Sequence, residues 1–90
     1  MASYRLDVSA TAEKQIRKLG KVDQLRVLRA MASLVTDPRP AGSRKLSGLD
    51  DTYRVRVGVF RVIYSIEHRR LVIIVLKVGH RREIYRSEHI

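Results

Sequence analysis

The spacing of apolar residues changes along these 90 residues, and this change most constrains the fold. After a short alternating stretch at the start, apolar residues recur every three or four positions, which is typical of amphipathic helices. From Tyr53 onward apolar and polar residues alternate, which is typical of strands with one face in a core. A chain of this length forms one domain. We therefore expect a single α+β domain over residues 1–90, with helices before the main strands.

The part before Tyr53 predicts one strand, two helices and a loop. Alternation over residues 4–8 indicates a short half-buried strand. Ser9 is placed to cap the first helix, Gly20 to end it and Asp23 to cap the second. The second helix has one apolar stripe, formed by Leu25, Leu28, Ala32 and Val35. Further apolar residues widen this stripe and predict burial on more than one side: Val27, Met31 and Leu34. Asp37-Pro38 ends the helix, and residues 39–52 are expected to be a loop.

The part from Tyr53 predicts three strands in succession. The first two are joined by Gly58-Val59, a two-residue hairpin loop with glycine at the position that a type II′ turn prefers. The stretch from Leu71 to Val78 is apolar on both faces, which is typical of a central strand. The predicted order is β-α-α-β-β-β, an antiparallel four-stranded sheet in which the second strand pairs with the first. We expect the helical hairpin to cover one face and the other face to be open.

The hairpin also predicts which side chains share a face. With a loop at positions 58 and 59, Arg56 lies directly opposite Arg61, and Arg54 shares their face, away from the helices. Like charges at directly opposite positions destabilise a sheet. The planar guanidinium group binds phosphate through two hydrogen bonds. The trio therefore predicts an anion-binding surface; the alternative is a solvated arginine face.

A second basic cluster follows the last predicted strand. Arg81 is expected to turn toward the open face, where Tyr85 is a candidate for stacking on an exposed base. His80 is a candidate for proton transfer. The alternatives are a tyrosine packed on the sheet edge and a solvated loop histidine. Arg82 and Arg86 are expected to add to the electrostatic field.

The composition limits the classes of function. Nineteen Lys and Arg against nine Asp and Glu give a net charge of +10, which is typical of nucleic-acid-binding proteins. Without cysteine there is neither a disulfide nor a thiolate metal site. No paired carboxylates, phosphate-binding glycine loop or metal-ligand spacing occur, so no metal or cofactor is expected. The longest apolar run, Leu71–Leu76, is too short to span a bilayer, and no signal peptide is present, so we expect a cytoplasmic protein without a membrane partner.

Three segments, taken together and in this order, resemble the RelE/ParE toxin superfamily. They are Lys45-Leu46-x-Gly48-Leu49, the stretch from Tyr53 to Tyr64 and the stretch from Val78 to Tyr85. The resemblance covers nearly the whole chain. It implies the toxin of a toxin–antitoxin pair, a ribosome-dependent endoribonuclease that cuts mRNA in the A site. In that reaction the RNA 2′-OH attacks without a metal, leaving a 2′,3′-cyclic phosphate and a 5′-OH. The implied partners are the ribosome, mRNA and a cognate RelB-like antitoxin, the last in a hetero-oligomer.

The resemblance also implies roles for individual residues. Arg61 corresponds to the arginine that braces the scissile phosphate, Arg81 to a second catalytic arginine and Tyr85 to the tyrosine that orients the nucleotide. Arg54 and Arg56 occupy positions that are lysines in some members, and we expect them to be catalytic as well. The expected RNA-binding residues are Arg54, Arg56, Lys45, Arg82 and Arg86.

The arginines limit how this reaction can work, because a guanidinium stays protonated and is a poor general base. The sequence therefore favours positioning and electrostatic stabilisation, with His80 as a second candidate for proton transfer. Two alternative functions are a ParE-like inhibitor of DNA gyrase and a passive RNA- or ribosome-binding module. ParE-type chains usually lack the full set of arginines and tyrosine, which argues against the first of these.

Overall fold

The helices lie against one face of a mixed sheet in this computed structural model, which describes residues 3–80. The elements in chain order are β1 (Arg5–Val8), α1 (Ala10–Arg17), α2 (Lys21–Leu34), β2 (Arg44–Lys45), β3 (Thr52–Val57), β4 (Phe60–Glu67) and β5 (Val72–His80). The five strands form one sheet in the order β1-β5-β4-β3-β2. The predicted α+β class, with both helices on one face, is confirmed.

The predicted strand count and the partner of the first strand are wrong. β1 pairs in parallel with β5 and not with β3, and the backbone N–H of Ser9 extends the contact by donating to the carbonyl of Val75 at 2.9 Å. β5 is apolar on both faces, and flanking strands on both sides bury it more completely than an edge position would. The expected loop over residues 39–52 contains the two-residue strand β2, which pairs with β3.

The predicted hairpin between β3 and β4 is confirmed. Val57 lies opposite Phe60 and Arg56 opposite Arg61, so residues 58 and 59 form a two-residue loop. Gly58 has a φ of +62°, whereas Val59 is not among the residues with positive φ. This pattern is the one that a type II′ turn requires, with glycine at the first loop position.

The predicted cap of α1 is confirmed and that of α2 is wrong. The Ser9 hydroxyl accepts a hydrogen bond from the Ala12 N–H at 3.0 Å and donates one to the Leu76 carbonyl at 2.8 Å. α1 ends at Arg17, and Gly20 is the N-cap residue of α2, so Asp23 lies in the first turn instead of at the cap. The Gly20 carbonyl accepts the first helical hydrogen bond, from the Gln24 N–H at 2.8 Å.

The prediction that α2 is buried on more than one side is wrong, although the burial expected for Val27, Met31 and Leu34 is confirmed. The side chains that α2 buries against the sheet are those of Val27, Met31 and Leu34, which are at most 1% exposed. Leu25 and Leu28 are 52% and 44% exposed. Both sets recur at helical spacing, and spacing alone does not tell which of two apolar stripes faces the sheet.

The core lies between the helix pair and the sheet. It contains the three buried α2 residues, Ala12 and Ile16 of α1, and the alternating apolar residues of β3, β4 and β5. Alternation places the remaining strand side chains on the opposite face, away from both helices. None of the helices within residues 3–80 combines the length and the apolar character that crossing a membrane requires.

Candidate functional site

At one end of the sheet, the face turned away from the helices carries five basic side chains in two rows, and we call these two rows the arginine face. Directly opposite residues on neighbouring strands project from the same side, so the register defines each row. The first row contains Arg44, Arg54, Ile63 and Lys77, on β2, β3, β4 and β5. The second row contains Arg56, Arg61 and Gly79. Neighbours in a row have Cα atoms about 5 Å apart, and the rows are separated by roughly 7 Å.

The predicted grouping of Arg54, Arg56 and Arg61 on the helix-free face is therefore confirmed, but the expectation that this face is open fails at Arg61. Arg56 is exposed and Arg54 is half-buried, whereas Arg61 is only 3% exposed. Ile63, two residues further along β4, is 5% exposed. β4 is an inner strand with a neighbour on each side, so its side chains lose solvent contact that those nearer the edge keep. The arginine face is open along β2 and β3 and covered at β4.

Arg61 is the one charged side chain that is buried within residues 3–80. Burial restricts the rotamers of a long side chain, so its five N–H donors have a fixed direction before any ligand arrives. The lower dielectric of a buried position also strengthens attraction to an anion. Arg61 is therefore a preorganised cation, while Arg54 and Arg56 on the neighbouring strand retain more freedom.

Two basic residues of this face, Arg44 and Lys77, are not among the site residues that the sequence predicts. Arg44 was assigned to a loop, because a two-residue strand carries no alternating pattern. In β5 a bulge shifts the register, so that Ile63 pairs with Lys77 while Tyr64 pairs with Val75. Strict alternation would have directed Lys77 into the core. A lysine at such a position within an apolar strand is itself a signal for a bulge.

Two of the predicted site residues lie away from the arginine face. Lys45 pairs with Tyr53, whose side chain belongs to the core, so Lys45 projects toward the helix side of the sheet. His80 pairs with Phe60, another residue on the core side, and the two rings meet edge to face with centroids 6.1 Å apart. The sheet therefore separates His80 from Arg61. Four further predicted site residues lie outside the described residues: Arg81, Arg82, Tyr85 and Arg86.

A half-open cavity of about 390 Å³ lies beside His80, on the helix side. It is bounded by Gln15, Lys18, Leu19, Phe60, Val78, Gly79 and His80. The Gln15 side chain fixes one wall, because its Oε1 accepts a hydrogen bond from the Val78 backbone N–H at 2.7 Å. The cavity is thus distinct from the arginine face.

The chemistry of the arginine face is that of a hydrogen-bond donor surface. Its two rows contain guanidinium groups, one ammonium group, one isoleucine and one glycine, with no carboxylate among them. Guanidinium and ammonium groups donate hydrogen bonds and accept none. Within residues 3–80 no group of three His, Asp or Glu side chains is arranged to hold a metal ion. The face therefore matches an extended anion such as a phosphodiester chain.

A family model and individual relatives of known function both match this chain over most of its length. The model of the family described as "ParE toxin of type II toxin-antitoxin system, parDE" matches residues 6–85. The mRNA interferase toxin RelE of Escherichia coli (strain K12) is 29% identical over 87 residues, which cover 92% of this chain and 90% of that protein. Toxin RelG of Mycobacterium tuberculosis (strain ATCC 25618 / H37Rv) is 29% identical over 84 residues, covering 92% and 97%.

Solved structures give the same result for the fold. The archaeal RelE–RelB complex from Pyrococcus horikoshii OT3 contains a chain that is 33% identical and aligns with a TM-score of 0.79. The alignment covers 88% of this chain and 96% of that one. The isolated RelE toxin of E. coli aligns with a TM-score of 0.77 at 28% identity, over 94% of each chain.

Proposed function

We propose that this chain, which belongs to the RelE/ParE superfamily of type II toxins, inhibits translation as an endoribonuclease that cuts mRNA in the ribosomal A site. The observation that carries the proposal is the buried Arg61 beside Arg54 and Arg56, in two rows of side chains that contain hydrogen-bond donors and no carboxylate. A relative with 29% identity over nearly the whole chain is an mRNA interferase, which supports RNA as the substrate. RNA also supplies its own nucleophile, so a site without a nucleophilic side chain is sufficient.

In the proposed reaction the 2′-oxygen attacks the adjacent phosphorus, and the bond from phosphorus to the 5′-oxygen breaks. The 2′-hydroxyl proton leaves, the 5′-oxygen gains a proton, and the products are a 2′,3′-cyclic phosphate and a 5′-OH. Arg61 would hold the phosphate oxygens in line and stabilise the charge that develops on them. Arg54 and Arg56 would orient the flanking backbone from the more open side of the face.

The remaining roles rest on the family resemblance. Arg81 would stabilise or protonate the leaving oxygen, and Tyr85 would orient the nucleotide. Arg82 and Arg86 would strengthen binding of the RNA backbone. Since the sheet separates His80 from Arg61, a direct proton transfer by His80 has less support than catalysis by positioning and electrostatic stabilisation.

The proposed partners follow from the same family. The matched archaeal structure is a RelE–RelB complex, and we propose a RelB-like antitoxin that forms a hetero-oligomer with this chain and neutralises it. The ribosome and mRNA would be the cytoplasmic targets. The net charge of +10 supports attraction to both RNA and an acidic antitoxin.

Primer extension on translated mRNA after induction of the chain tests this function. The wild type is expected to produce cuts between codon positions in the A site, with a cyclic phosphate on the upstream fragment. Arg61→Ala should lower the rate of cutting by about 100-fold or more, the usual effect of removing a transition-state donor. Arg69→Ala, in an exposed turn outside the arginine face, is the matched control and should cut normally. Undisturbed translation with intact mRNA would reject the proposal.

One observation favours a second candidate, because the matching family model is described as a ParE toxin. A ParE-like chain would inhibit DNA gyrase and leave RNA intact. A supercoiling assay with purified gyrase separates the two functions: inhibition at low protein concentration, together with uncut mRNA, would establish the second. A passive RNA-binding module would instead show no cuts and would lose RNA binding in Arg61→Ala.

A further inference from the structure

The backbone on either side of Lys77 is held from the helix side by two side chains, one at the cap of α1 and one within it. The Ser9 hydroxyl donates to the Leu76 carbonyl at 2.8 Å. Gln15 Oε1 accepts a hydrogen bond from the Val78 N–H at 2.7 Å. The Leu76 carbonyl belongs to the peptide group before Lys77, and the Val78 N–H belongs to the peptide group after it. Both peptide groups next to the Lys77 Cα atom are therefore anchored to α1.

This part of β5 has less support from neighbouring strands than the part before it. β1 pairs with β5 as far as Val75, so among the described strands the stretch 77–80 has a neighbour on one side, β4. The bulge in β5 leaves Leu76 unpaired in the β4 register, between Val75 and Lys77, which are both paired. A bulge bends its strand and disrupts the ladder locally. The two hydrogen bonds to α1 thus hold the backbone at the point where the ladder holds it least.

These two bonds fix the direction of the Lys77 side chain. The peptide planes on either side of a Cα atom define its φ and ψ, and these angles determine where the Cβ atom points. Lys77 lies on the arginine face, opposite Ile63 in the first row. If the bulge moved by one residue, Leu76 would lie opposite Ile63 and Lys77 would leave the row. The shift would turn both anchored peptide groups, so the hydrogen bonds of Ser9 and Gln15 oppose it.

The burial of Val78 makes the Gln15 acceptor important. Val78 is 1% exposed, and Gln15 is half-buried in the wall of the cavity beside it. A buried backbone N–H group needs an acceptor. A side chain at position 15 that accepts no hydrogen bond would make this peptide group turn toward water in the cavity. The backbone at Lys77 would turn with it.

We propose that Gln15 is a positioning residue for RNA cleavage, which together with Ser9 directs Lys77 onto the arginine face. The proposal rests on the proposed function, and it adds a residue from the opposite side of the sheet. Lys77 would bring its ammonium group to an RNA phosphate, whereas Gln15 would contact no RNA. Since Gln15 acts through Lys77, its replacement slows cutting by no more than the loss of Lys77 itself.

The experiment compares variants of the full chain at position 15, with and without Lys77. Gln15→Leu removes the acceptor and keeps the approximate size of the side chain, whereas Gln15→Glu keeps an oxygen that can accept the same bond. Gln24→Leu is the matched control, because Gln24 is also half-buried and its amide also bonds to the backbone. Its Nε2 donates to the carbonyls of Leu19 at 3.2 Å and Arg17 at 3.3 Å, both outside β5.

Four measurements are made on each variant: single-turnover cutting of ribosome-bound mRNA, affinity for a 2′-O-methylated RNA, melting temperature and hydrogen exchange of the Val78 amide. Gln15→Leu should slow cutting by about three- to tenfold where Lys77 is present, and by less than about twofold in the Lys77→Ala background. Gln15→Glu and Gln24→Leu should cut within about twofold of the wild type. The Val78 amide should exchange about tenfold faster in Gln15→Leu than in Gln15→Glu. Both leucine variants should lower the melting temperature to a similar extent, so stability alone would not explain a difference in cutting.

Wild-type cutting by Gln15→Leu overturns the proposal, and so does unchanged exchange of the Val78 amide in that variant. A loss of equal size with and without Lys77 also overturns it, because Gln15 would then affect the fold in general. An absence of cutting by the wild type rejects the nuclease function instead. The affinity for the 2′-O-methylated RNA then provides the same comparison: Gln15→Leu should weaken binding where Lys77 is present and leave it unchanged in Lys77→Ala, and equal weakening in both would reject the positioning role.

Discussion

The cations of the arginine face differ in how freely their side chains move. Arg61 is buried on an inner strand, whereas Arg44 and Arg56 are exposed on the outer part of the sheet. A cation that is held in place and a cation that moves freely recognise an anion in different ways. A fixed guanidinium recognises one phosphate geometry, while mobile ones adapt to a chain whose backbone varies. The buried residue is thus the one expected to act at the scissile bond.

Lys77 gives a residue-level test of which side of the sheet is used. It is half-buried on the arginine face, whereas Lys45 projects toward the helix side. Lys77→Ala should slow mRNA cutting by about tenfold, the loss expected for one charged hydrogen bond. Lys45→Ala should change the rate by less than about twofold. Cutting rates on translated mRNA would measure both.

A further variant distinguishes charge from proton transfer at this position. Lys77→Arg keeps the positive charge but replaces an ammonium by a group that does not release its proton. We expect it to restore cutting to within about threefold of the wild type, as electrostatic stabilisation requires. Cutting as slow as that of Lys77→Ala would contradict this expectation and would point to Lys77 as the proton acceptor.

Tyr64 links stability to alkaline pH. Its side chain is fully buried, its hydroxyl donates to the Pro38 carbonyl at 2.7 Å, and burial raises the pKa of Tyr64 from 10.0 to about 12. The folded state therefore holds the phenol proton more tightly than the unfolded state. The stabilisation is complete below about pH 10 and is lost as the pH rises through 12, by about 1.4 kcal/mol per unit of pKa difference.

Tyr64→Phe removes this titration. Between pH 10 and 12 the free energy of unfolding of the wild type should fall by about 2 kcal/mol more than that of the variant. Urea denaturation at several pH values measures the difference. At neutral pH the variant should be less stable by about 1 kcal/mol, because one hydrogen bond is lost. Parallel curves for both proteins in the alkaline range would contradict the assigned cause.

At the scale of the elements, Ser9 connects α1 to the sheet. Its hydroxyl caps the helix at Ala12 and also bonds to the carbonyl of Leu76 in β5. Ser9→Ala should lower the free energy of unfolding by about 2 kcal/mol, more than a typical cap alone. Ser33→Ala is the matched control: Ser33 is exposed near the end of α2, and its hydroxyl donates only to Ala30 within the helix.

Urea denaturation of both variants measures these effects. The control should change stability by less than about 0.5 kcal/mol, since alanine is the better helix former and the lost bond is local. A loss of only about 1 kcal/mol in Ser9→Ala, the typical effect of an N-cap, would show that the contact with Leu76 contributes nothing. In that case the cap alone would account for Ser9.

The sequence predicts an element correctly when its structure depends on residues that are close together along the chain. The hairpin at Gly58 is local: a two-residue loop determines the register, and the register brings Arg56 opposite Arg61. The partner of β1 is not local. It depends on which strand gains most from a second neighbour, and alternation in β1 says nothing about that competition. The same applies to α2, where two apolar stripes satisfy the helical spacing and only the sheet decides between them.

In the candidate site too, local features could be predicted from the sequence, whereas features that depend on the rest of the sheet could not. Alternation assigned Arg54, Arg56 and Arg61 to the correct face, because these residues lie in unbroken stretches of β3 and β4. It failed for Lys77, beyond the bulge in β5, and for the burial of Arg61. Burial depends on strand order, since an inner strand loses solvent on both sides. The alternating pattern of β4 does not tell which strands lie beside it, whereas the apolar faces of β5 do indicate an inner strand.

At the scale of the whole molecule, positive charge occurs on both sides of the sheet, but the two sides have different surroundings. Among the described residues, the two rows of the arginine face contain no carboxylate, and Asp7 and Glu67 lie further along the same side of the sheet; the helix side mixes basic and acidic residues beside an apolar stripe. A net charge of +10 attracts polyanions to the entire surface at long range. On the proposed function, RNA would then make its close contacts with the arginine face rather than with the helix side.

The salt dependence of RNA binding tests this division. Each phosphate that a cation neutralises on a single strand contributes about −0.7 to the slope of log K against log salt concentration. Arg56→Ala should therefore make the slope less steep by about 0.7, whereas Lys14→Ala, on the exposed side of α1, should leave it unchanged. Both variants lose one positive charge, so they differ only in which side of the sheet is altered.

Fluorescence anisotropy with a 2′-O-methylated RNA oligonucleotide, which lacks the attacking hydroxyl, measures the slopes without cutting. Equal slopes for the two variants would mean that RNA responds to net charge and has no preferred side. The arginine face would then be one part of a diffuse field, and Arg61 would have no reason to meet a phosphate more often than any other cation. Unequal slopes, with the loss confined to Arg56→Ala, require that the RNA backbone lies along β3 and β4. That arrangement brings it to Arg61, the buried guanidinium among residues 3–80, whose direction burial has already fixed.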